Sequence, residues 1–495
     1  MRKLYYVLFI SLFAIITTEI NAQIWTQIGS DINGEADYNY SGKSVSLSSD
    51  GTIVAIGAPE NDGIPFKSGH VRIYQNNNGT WTQIGEDIDG EASGDESGTS
   101  VSLSSDGSVV AIGAPKNDNE NGGYAGQVRI YENISGTWTQ IGSDIDGEVN
   151  GDYSGSSVSL SSDGSIVAIG ARYNNGNASA SGHVRIYQNI DGTWTQIGAD
   201  IDGKSADDYF GSSVSLSSDG SIIAIGATDY EGFGGPGYVQ IYENISGTWT
   251  QIGSDIEGEA SGDGSGGSVS LNADGSIIAI GAGLNDGGGN YSGHVRIYQY
   301  IEGIWTQVGS DIDGESEGDL FANVSLSKDG SIVAIGGRGC DVNGIGSGQV
   351  KVYKNIEGEW NQIGFAINGQ AAFEYTGTAV SLSHDGSVLA IGSDGANSLS
   401  GKVSVYRMQS NTGIKDLAEL GISVYPNPTN GFVKLIFAEN HVNKLKVLDI
   451  TGKTVFEETE VQQNETIDLS NYSTGIYVIT VETEKGSFTS KIIKE

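Results

Sequence analysis

Residues 44–58 read SVSLSSDGTIVAIGA, and the chain carries seven versions of this stretch. The other copies begin near Ser100, Ser157, Ser213, Ser268, Asn323 and Ala379. Each is followed by a Gly-rich loop, a segment like GHVRIY (residues 69–74) and a segment like GTWTQIGSDI. Seven tryptophans keep the beat: Trp25, Trp81, Trp138, Trp194, Trp249, Trp305 and Trp360, spaced 55 to 57 residues apart. Self-similarity at such a period defines a repeat architecture, in which each unit buries its apolar face against its neighbours.

The copy from Ser100 shows what one unit builds. Val101 and Leu103 alternate with Ser100, Ser102 and Ser104, the period-two signature of a strand. Asp106-Gly107 then marks a tight hairpin. SVVAI at 108–112 is an unbroken apolar run, as a strand covered on both faces requires. A polar loop follows at 113–126, then a third strand at 127–131, a turn at 133–136 and a fourth strand at 137–144. Four antiparallel strands per unit, seven times, predict an all-β, seven-bladed β-propeller over residues 23–408.

The ends of the repeat region are out of phase. A lone fourth strand at 24–32 comes first, and the last unit, residues 379–406, lacks one. The N-terminal strand is therefore expected to complete the final blade, which removes exposed sheet edges. Strand parity then puts two kinds of loop on opposite rims. The hairpins and the third-to-fourth turns are short and nearly constant. The second-to-third loops vary most: PENDGIPFKS, PKNDNENGGYA, RYNNGNASAS, TDYEGFGGP, GLNDGGGNYS and RGCDVNGIGS. Variable loops on a rigid frame are the expected seat of binding.

Of 495 residues, 62 are acidic and 25 are Lys or Arg, a formal net charge of −37 that falls mostly on the repeats. Such a field repels phosphate backbones and argues against nucleic acid as a partner. Arg2 and Lys3 precede an apolar run at 4–16 interrupted only by Ser11, which reads as a secretory signal over residues 1–22 cleaved between Ala22 and Gln23. No second long apolar run follows, so no membrane span is expected in the mature chain. One cysteine, Cys340, allows no internal disulfide and no Cys-built zinc site.

The repeat resembles the FG-GAP repeat of integrin-α-like propellers. The resemblance rests on Phe210-Gly211 before Ser213-Val214, on Ala55-Ile56-Gly57-Ala58-Pro59 and Ala111-Ile112-Gly113-Ala114-Pro115, and on GHVRIY at 69–74. It covers about residues 24–407. Only one copy has Phe-Gly; the others read Ser41-Gly42, Ser97-Gly98, Ser154-Gly155, Gly266-Gly267, Phe321-Ala322 and Thr376-Gly377. That family often binds Ca²⁺ in a loop between its first two strands. Here the loop is only Ser48-Ser49-Asp50-Gly51, whose one carboxylate cannot give Ca²⁺ its six to eight oxygens. A second acidic cluster recurs, with Asp87, Asp89, Glu91 and Asp95 in one copy and Asp144, Asp146, Glu148 and Asp152 in the next. It reads as a turn fixed by Asp, with weak Ca²⁺ binding as the alternative. No resident cofactor or metal is expected.

His70, His183 and His294 share one repeat position, which holds Gln127, Tyr238, Gln349 or Lys402 in other copies. That reads as a polar strand start, not a catalytic site. The most divergent blade carries Arg338, Cys340 and Asp341, with no histidine beside the cysteine in sequence, and no catalytic residue is assigned.

Residues 409–421 form a polar connector. From residue 422 short alternating segments predict a small antiparallel sandwich to residue 495. This segment closely resembles the C-terminal sorting domain of the Bacteroidetes type IX secretion system. The matching residues include Tyr425-Pro426-Asn427-Pro428 with Gly431, Gly452 in DITGK, Gly475 with Tyr477, and Lys491 and Lys494 in the final strand. The resemblance implies the type IX machinery as partner, export across the outer membrane, and a product anchored at the surface or released. Together these features predict a monomeric, non-enzymatic propeller that binds an extracellular protein or glycan, as in adhesion. The alternatives are a secreted polysaccharide- or protein-degrading enzyme and a structural matrix protein.

Overall fold

The computed structural model describes residues 24–62, 66–228, 235–409, 417, 422–436, 442–459, 461, 465–483 and 486–495. The signal segment with its Ala22–Gln23 junction lies outside the described residues, as does most of the 409–421 connector.

Seven antiparallel sheets stand side by side as blades, numbered here in chain order. Blade 2 is representative: Ser100–Leu103, Val109–Ala114, Gln127–Ile134 and Thr137–Gln140 pair in sequence order. Two expectations needed adjustment. The third strand runs three residues further than its apolar pattern, to Ile134, because Ser135 and Gly136 both take positive φ (56° and 89°) and close a two-residue turn. The fourth strand breaks after Gln140, where Gly142 turns at φ 73° and the Gln140 side chain donates to Asp144 across the break. It resumes as Ile145–Asp146, which pairs with the start of the third strand.

Propeller blades must taper toward the axis, and the composition of the repeat supplies the taper. In blade 1, Val54 and Ile56 face blade 7, packing with Val388, Val403 and Val405. Ala55 faces blade 2, where Leu103, Val110 and Ile112 cover it. Seven such clusters lie between successive blades among the described residues. Fully burying one such Ile or Val contributes roughly 1.5–3 kcal/mol. Where the end of the second strand meets the next blade no side chain fits at all. A Cβ on Gly226 would lie 2.0 Å from the Gly266 carbonyl oxygen of the next blade.

The serines of SVSL have an equally direct task. The inner strand is the edge of each sheet, and its Leu N–H has no partner within the blade. Ser46 Oγ accepts from the Leu103 N–H, Ser102 from Leu160, Ser159 from Leu216, and so around to Ser381, which accepts from Leu47, all at 2.9–3.0 Å. A second circle runs through the hairpin backbones. Ser49 N–H donates to Ser105, Ser105 to Ser162, Ser162 to Ser218, Ser218 to Ala273, Ala273 to Lys328, Lys328 to His384, and His384 back to Ser49. These seven bonds of 2.7–2.9 Å draw the hairpins together at one end of the axis.

The ring is closed by the N-terminal strand. Ile24–Gln27 pairs with Tyr406–Gln409 of the last strand, and Ile32–Asn33 pairs with its start. Gln409, placed in the connector by sequence, thus belongs to blade 7. The C-terminal unit is a two-sheet sandwich, one sheet of three strands and one of four, around Val433, Leu445, Ile467, Ile479 and Ile492. Its strands Ser423–Tyr425 and Thr454–Glu458 are too short to show their period in the sequence.

Candidate functional site

Opposite the hairpin circle, the rim bearing the variable loops opens around the axis. One residue per blade sets its shape, the residue just before Ser41-Gly42, Ser97-Gly98, Ser154-Gly155, Phe210-Gly211, Ser265-Gly266, Phe321-Ala322 and Thr376-Gly377. In the fifth blade the pair is Ser265-Gly266 rather than the Gly266-Gly267 read from sequence, because Gly237 bridges Ser265 as Gly182 bridges Phe210. These are Tyr40, Glu96, Tyr153, Tyr209, Gly264, Leu320 and Tyr375, all with φ between 51° and 65°. A non-glycine residue there costs on the order of 1–3 kcal/mol and persists only when its surroundings dictate it. Here the dictating contacts are backbone bonds to the variable loop of the preceding blade. Tyr153 N–H donates to the Tyr124 carbonyl, Tyr209 to Ala180, Tyr375 to Gly346 and Tyr40 to Leu399.

The result is a row of aromatic rings. Tyr124 stacks on Tyr153 (centroids 5.7 Å), Tyr153 meets Tyr173 (4.9 Å), and Tyr173 meets Tyr209 edge-on (5.2 Å). Beside them two recesses of about 280 and about 450 Å³ adjoin, sharing Leu320 and Arg338. Tyr173, Tyr209, Arg172 and Asn323 line the first, and Tyr40, Tyr375, Lys43 and Glu96 the second. The lysines and carboxylates of this mouth are paired with each other: Lys43 with Asp394, Lys67 with Glu60, Lys116 with Glu96. The arginines are not. Arg172 lies over the Tyr173 ring, and Arg338 has no ion-pair partner among the described residues. In a chain this acidic, these are two exposed guanidiniums without a carboxylate partner among the described residues.

Sequence reasoning pointed to this rim and to Arg338 but missed the tyrosines. The available signal was the residue before each Gly-containing pair, which varies among Tyr, Glu, Gly and Leu while its neighbours stay nearly constant.

The other residues singled out by sequence fall elsewhere. Asp50 Oδ1 accepts from the Ser48 hydroxyl and from both the N–H and hydroxyl of Thr52, which pins the hairpin. Asp95 accepts from the Glu91 and Ala92 N–H groups and from Asn117, so it fixes its turn, and Asp152 accepts from Glu148 and Val149 likewise. Cys340 is buried, and burial with Asp319 nearby pushes its thiol far up, leaving it protonated. His70, His183 and His294 begin third strands, as read, but are buried rather than solvated. Burial, reinforced by Arg185, lowers His183 to about 4, and burial lowers His294 as well.

In the C-terminal sandwich Asn427 clamps the last strand, donating to the Lys491 carbonyl and accepting from the Ile493 N–H. The Lys494 ammonium donates to the carbonyls of Ser470 and Tyr472, and the Tyr477 hydroxyl to Ser473. Tyr425, Pro426, Pro428 and Lys491 remain exposed. Gly431, Gly452 and Gly475 all take positive φ.

Residues 423–495 match the family described as the secretion system C-terminal sorting domain. The chain is therefore a cargo of the type IX secretion system, exported to the cell surface or the extracellular space. No curated protein matches the chain in sequence. Among solved structures, the chain is similar to Kuenenia stuttgartiensis hydrazine synthase, with 13% identity and a TM-score of 0.50 over 78% of this chain and 98% of that one. Chaetomium thermophilum Raptor gives 12% identity and a TM-score of 0.50 over 78% of this chain and 29% of that one. A putative 6-phosphogluconolactonase from Bacteroides uniformis gives 14% identity and a TM-score of 0.47 over 68% and 88%. At these identities the likeness concerns the fold alone. No helix among the described residues is long and apolar enough to cross a membrane.

Proposed function

We propose that the propeller is an exported binding module that takes a glycan at its tyrosine-lined mouth, without turning it over. The observation that carries this reading is one open recess lined by Tyr173, Tyr209, Arg172 and Arg338, with the tyrosine row running on from Tyr173 to Tyr153 and Tyr124 beside it. Tyrosine offers a flat apolar face and a polar tip, which suits sugar rings with their apolar faces and hydroxyl edges. The guanidiniums suit carboxylate or sulfate substituents, which they can hold bidentately. Catalysis would need a nucleophile or a free acid–base pair at the mouth. The carboxylates found there are each engaged by a lysine.

The test is a glycan array on the secreted chain, comparing uronate-bearing, sulfated and neutral saccharides, with Tyr153→Ala/Tyr209→Ala and Arg172→Ala/Arg338→Ala variants. Saccharide binding lost in the tyrosine variant, with anionic preference lost in the arginine variant, supports the reading. Binding to proteins only, or hydrolysis of any bound polymer, overturns it.

A further inference from the structure

Between blades, outside the mouth, the three buried histidines meet carboxylates from two blades each. His183 Nδ1 lies 3.9 Å from Glu148 Oε2 of the preceding blade and 3.9 Å from Asp200 Oδ2 of its own. His294 Nδ1 lies 3.7 Å from Glu259 Oε2, 4.0 Å from Asp311 Oδ2 and 3.9 Å from Asp313 Oδ1. His70 Nδ1 lies 3.4 Å from Asp87 Oδ2, and Glu35 completes the same arrangement. In each group one nitrogen and two carboxylate oxygens fall within 4.8 Å of one another. The groups recur in blades 1, 3 and 5.

Hydrogen bonding to Asp87 accounts for the His70 imidazole but not for those of His183 and His294. His183 and His294 are each 1% exposed, and Nε2 of both is buried without a partner among the described residues. Their Nδ1 atoms face the carboxylates from beyond hydrogen-bond range. Wholly buried Asp152, which acts electrostatically on His183, also leaves Oδ1 without a partner. Arginine partly offsets the charge: Arg185 Nη1 is 3.6 Å and Arg296 Nη1 3.9 Å from the other oxygen of Glu148 and Glu259, and Arg72 Nη1 is 3.5 Å from Glu35. One guanidinium still faces several carboxylates in each group.

Equivalent pockets in other blades show what belongs there. In blade 7 the histidine position is Lys402, and its ammonium sits 3.5 Å from both Asp31 and Glu374. In blade 4 Lys204 replaces the glutamate and pairs with Asp255, the counterpart of Asp200. Two blades thus bring their own cation to the pocket. Blades 1, 3 and 5 offer an imidazole nitrogen in its place.

We infer that blades 1, 3 and 5 each bind one first-row transition-metal dication between His70, Asp87 and Glu35, between His183, Asp200 and Glu148, and between His294, Asp311 and Glu259. Zinc–nitrogen and zinc–oxygen bonds of ~2.0–2.2 Å in tetrahedral geometry put ligand atoms about 3.3–3.6 Å apart. The 3.4 Å between His70 and Asp87 already fits, and the 3.7–4.0 Å spacings at His183 and His294 must close by a few tenths of an ångström through rotation of the partly exposed carboxylates. The nitrogen ligand selects such a metal over Ca²⁺ or Mg²⁺, which take oxygen. The carboxylates are 28–49% exposed, which gives the ion a path from solvent.

The test is calorimetric titration of the chelator-stripped secreted chain with Zn²⁺. Three equivalents are expected, one for each group. His183→Gln should remove one equivalent and the His70/His183/His294→Gln triple variant all three. Blades 2 and 6 already carry Gln127 and Gln349 at this position, so the fold has a precedent for the change. Independently of any variant, Co²⁺ added to the wild-type chain should give visible d–d absorption that Zn²⁺ displaces. Absence of saturable Zn²⁺ binding, Zn²⁺ binding unchanged in the triple variant, or Ca²⁺ competing equally for the sites would overturn the inference.

Discussion

At the residue scale, the seven tryptophans look identical in sequence but do not do the same work. Six donate their indole N–H to a carbonyl of the preceding blade: Trp81 to Ile28, Trp138 to Ile84, Trp194 to Ile141, Trp249 to Ile197, Trp305 to Ile252 and Trp360 to Val308, at 2.8–3.0 Å. Trp25, on the strand that closes the ring, is 8% exposed and its Nε1 has no partner among the described residues. A net hydrogen bond is worth about 0.5–1.5 kcal/mol, while a buried unpaired N–H is a liability. Trp138→Phe should therefore lower stability by about 1 kcal/mol, whereas Trp25→Phe should be neutral or stabilising. Urea midpoints of the two variants check this; equal losses would contradict it. Periodicity cannot reveal the difference, because it lies in what stands opposite each indole across a seam.

At the scale of the element, the hairpin SSDG is held by its aspartate. Burial alone would raise Asp219, but the Ser221 hydroxyl and N–H and the Ser217 hydroxyl outweigh it and hold its pKa below the usual value. Asp50, Asp106, Asp163, Asp329 and Asp385 balance in the same way, and at Asp274 the Ser276 hydroxyl is the larger effect. A carboxyl lowered on folding stabilises the native state above its unfolded pKa of about 3.9, and that contribution is lost as pH falls through the folded value. Unfolding midpoints should thus drop below about pH 4, with seven hairpins contributing. The drop should be shallower in Asp219→Asn, which cannot titrate at that site, and an unchanged or steeper acid limb would reject the assignment. The sequence shows the Asp-Gly turn; the donors converging on the carboxylate appear only once the hairpin is folded.

For the whole molecule, closure is the decisive feature. Residues 24–32 supply the outer strand of blade 7 and Trp25, which packs against Val350, Val352 and Leu389. Deleting them exposes the edge of Lys402–Gln409 and opens the seam between blades 6 and 7. The deletion variant should express as aggregate, judged by size-exclusion chromatography and thermal melting. A monomer with a cooperative melt would show that the ring does not need this strand. The out-of-phase ends made the strand's role legible, because a repeat missing its last strand at one end and carrying it alone at the other has one economical solution.

The sequence by itself determined the blade count, the order of strands, the closing strand and the export domain. All four follow from periodicity and from local motifs, which depend on near neighbours in the chain. It also pointed to the open rim, since loop length varies there alone. Only the tertiary structure decided what the serines of SVSLSSDG are for. Their partners are main-chain groups about 56 residues away, and the hydroxyls of SVSL close one circle around the axis while the hairpin backbones close a second. The tyrosine row and the histidine–carboxylate groups were hidden for the same reason. Each is assembled across blade seams from residues 17 to 36 positions apart in different segments of neighbouring copies, so its members meet only when the ring brings successive copies side by side.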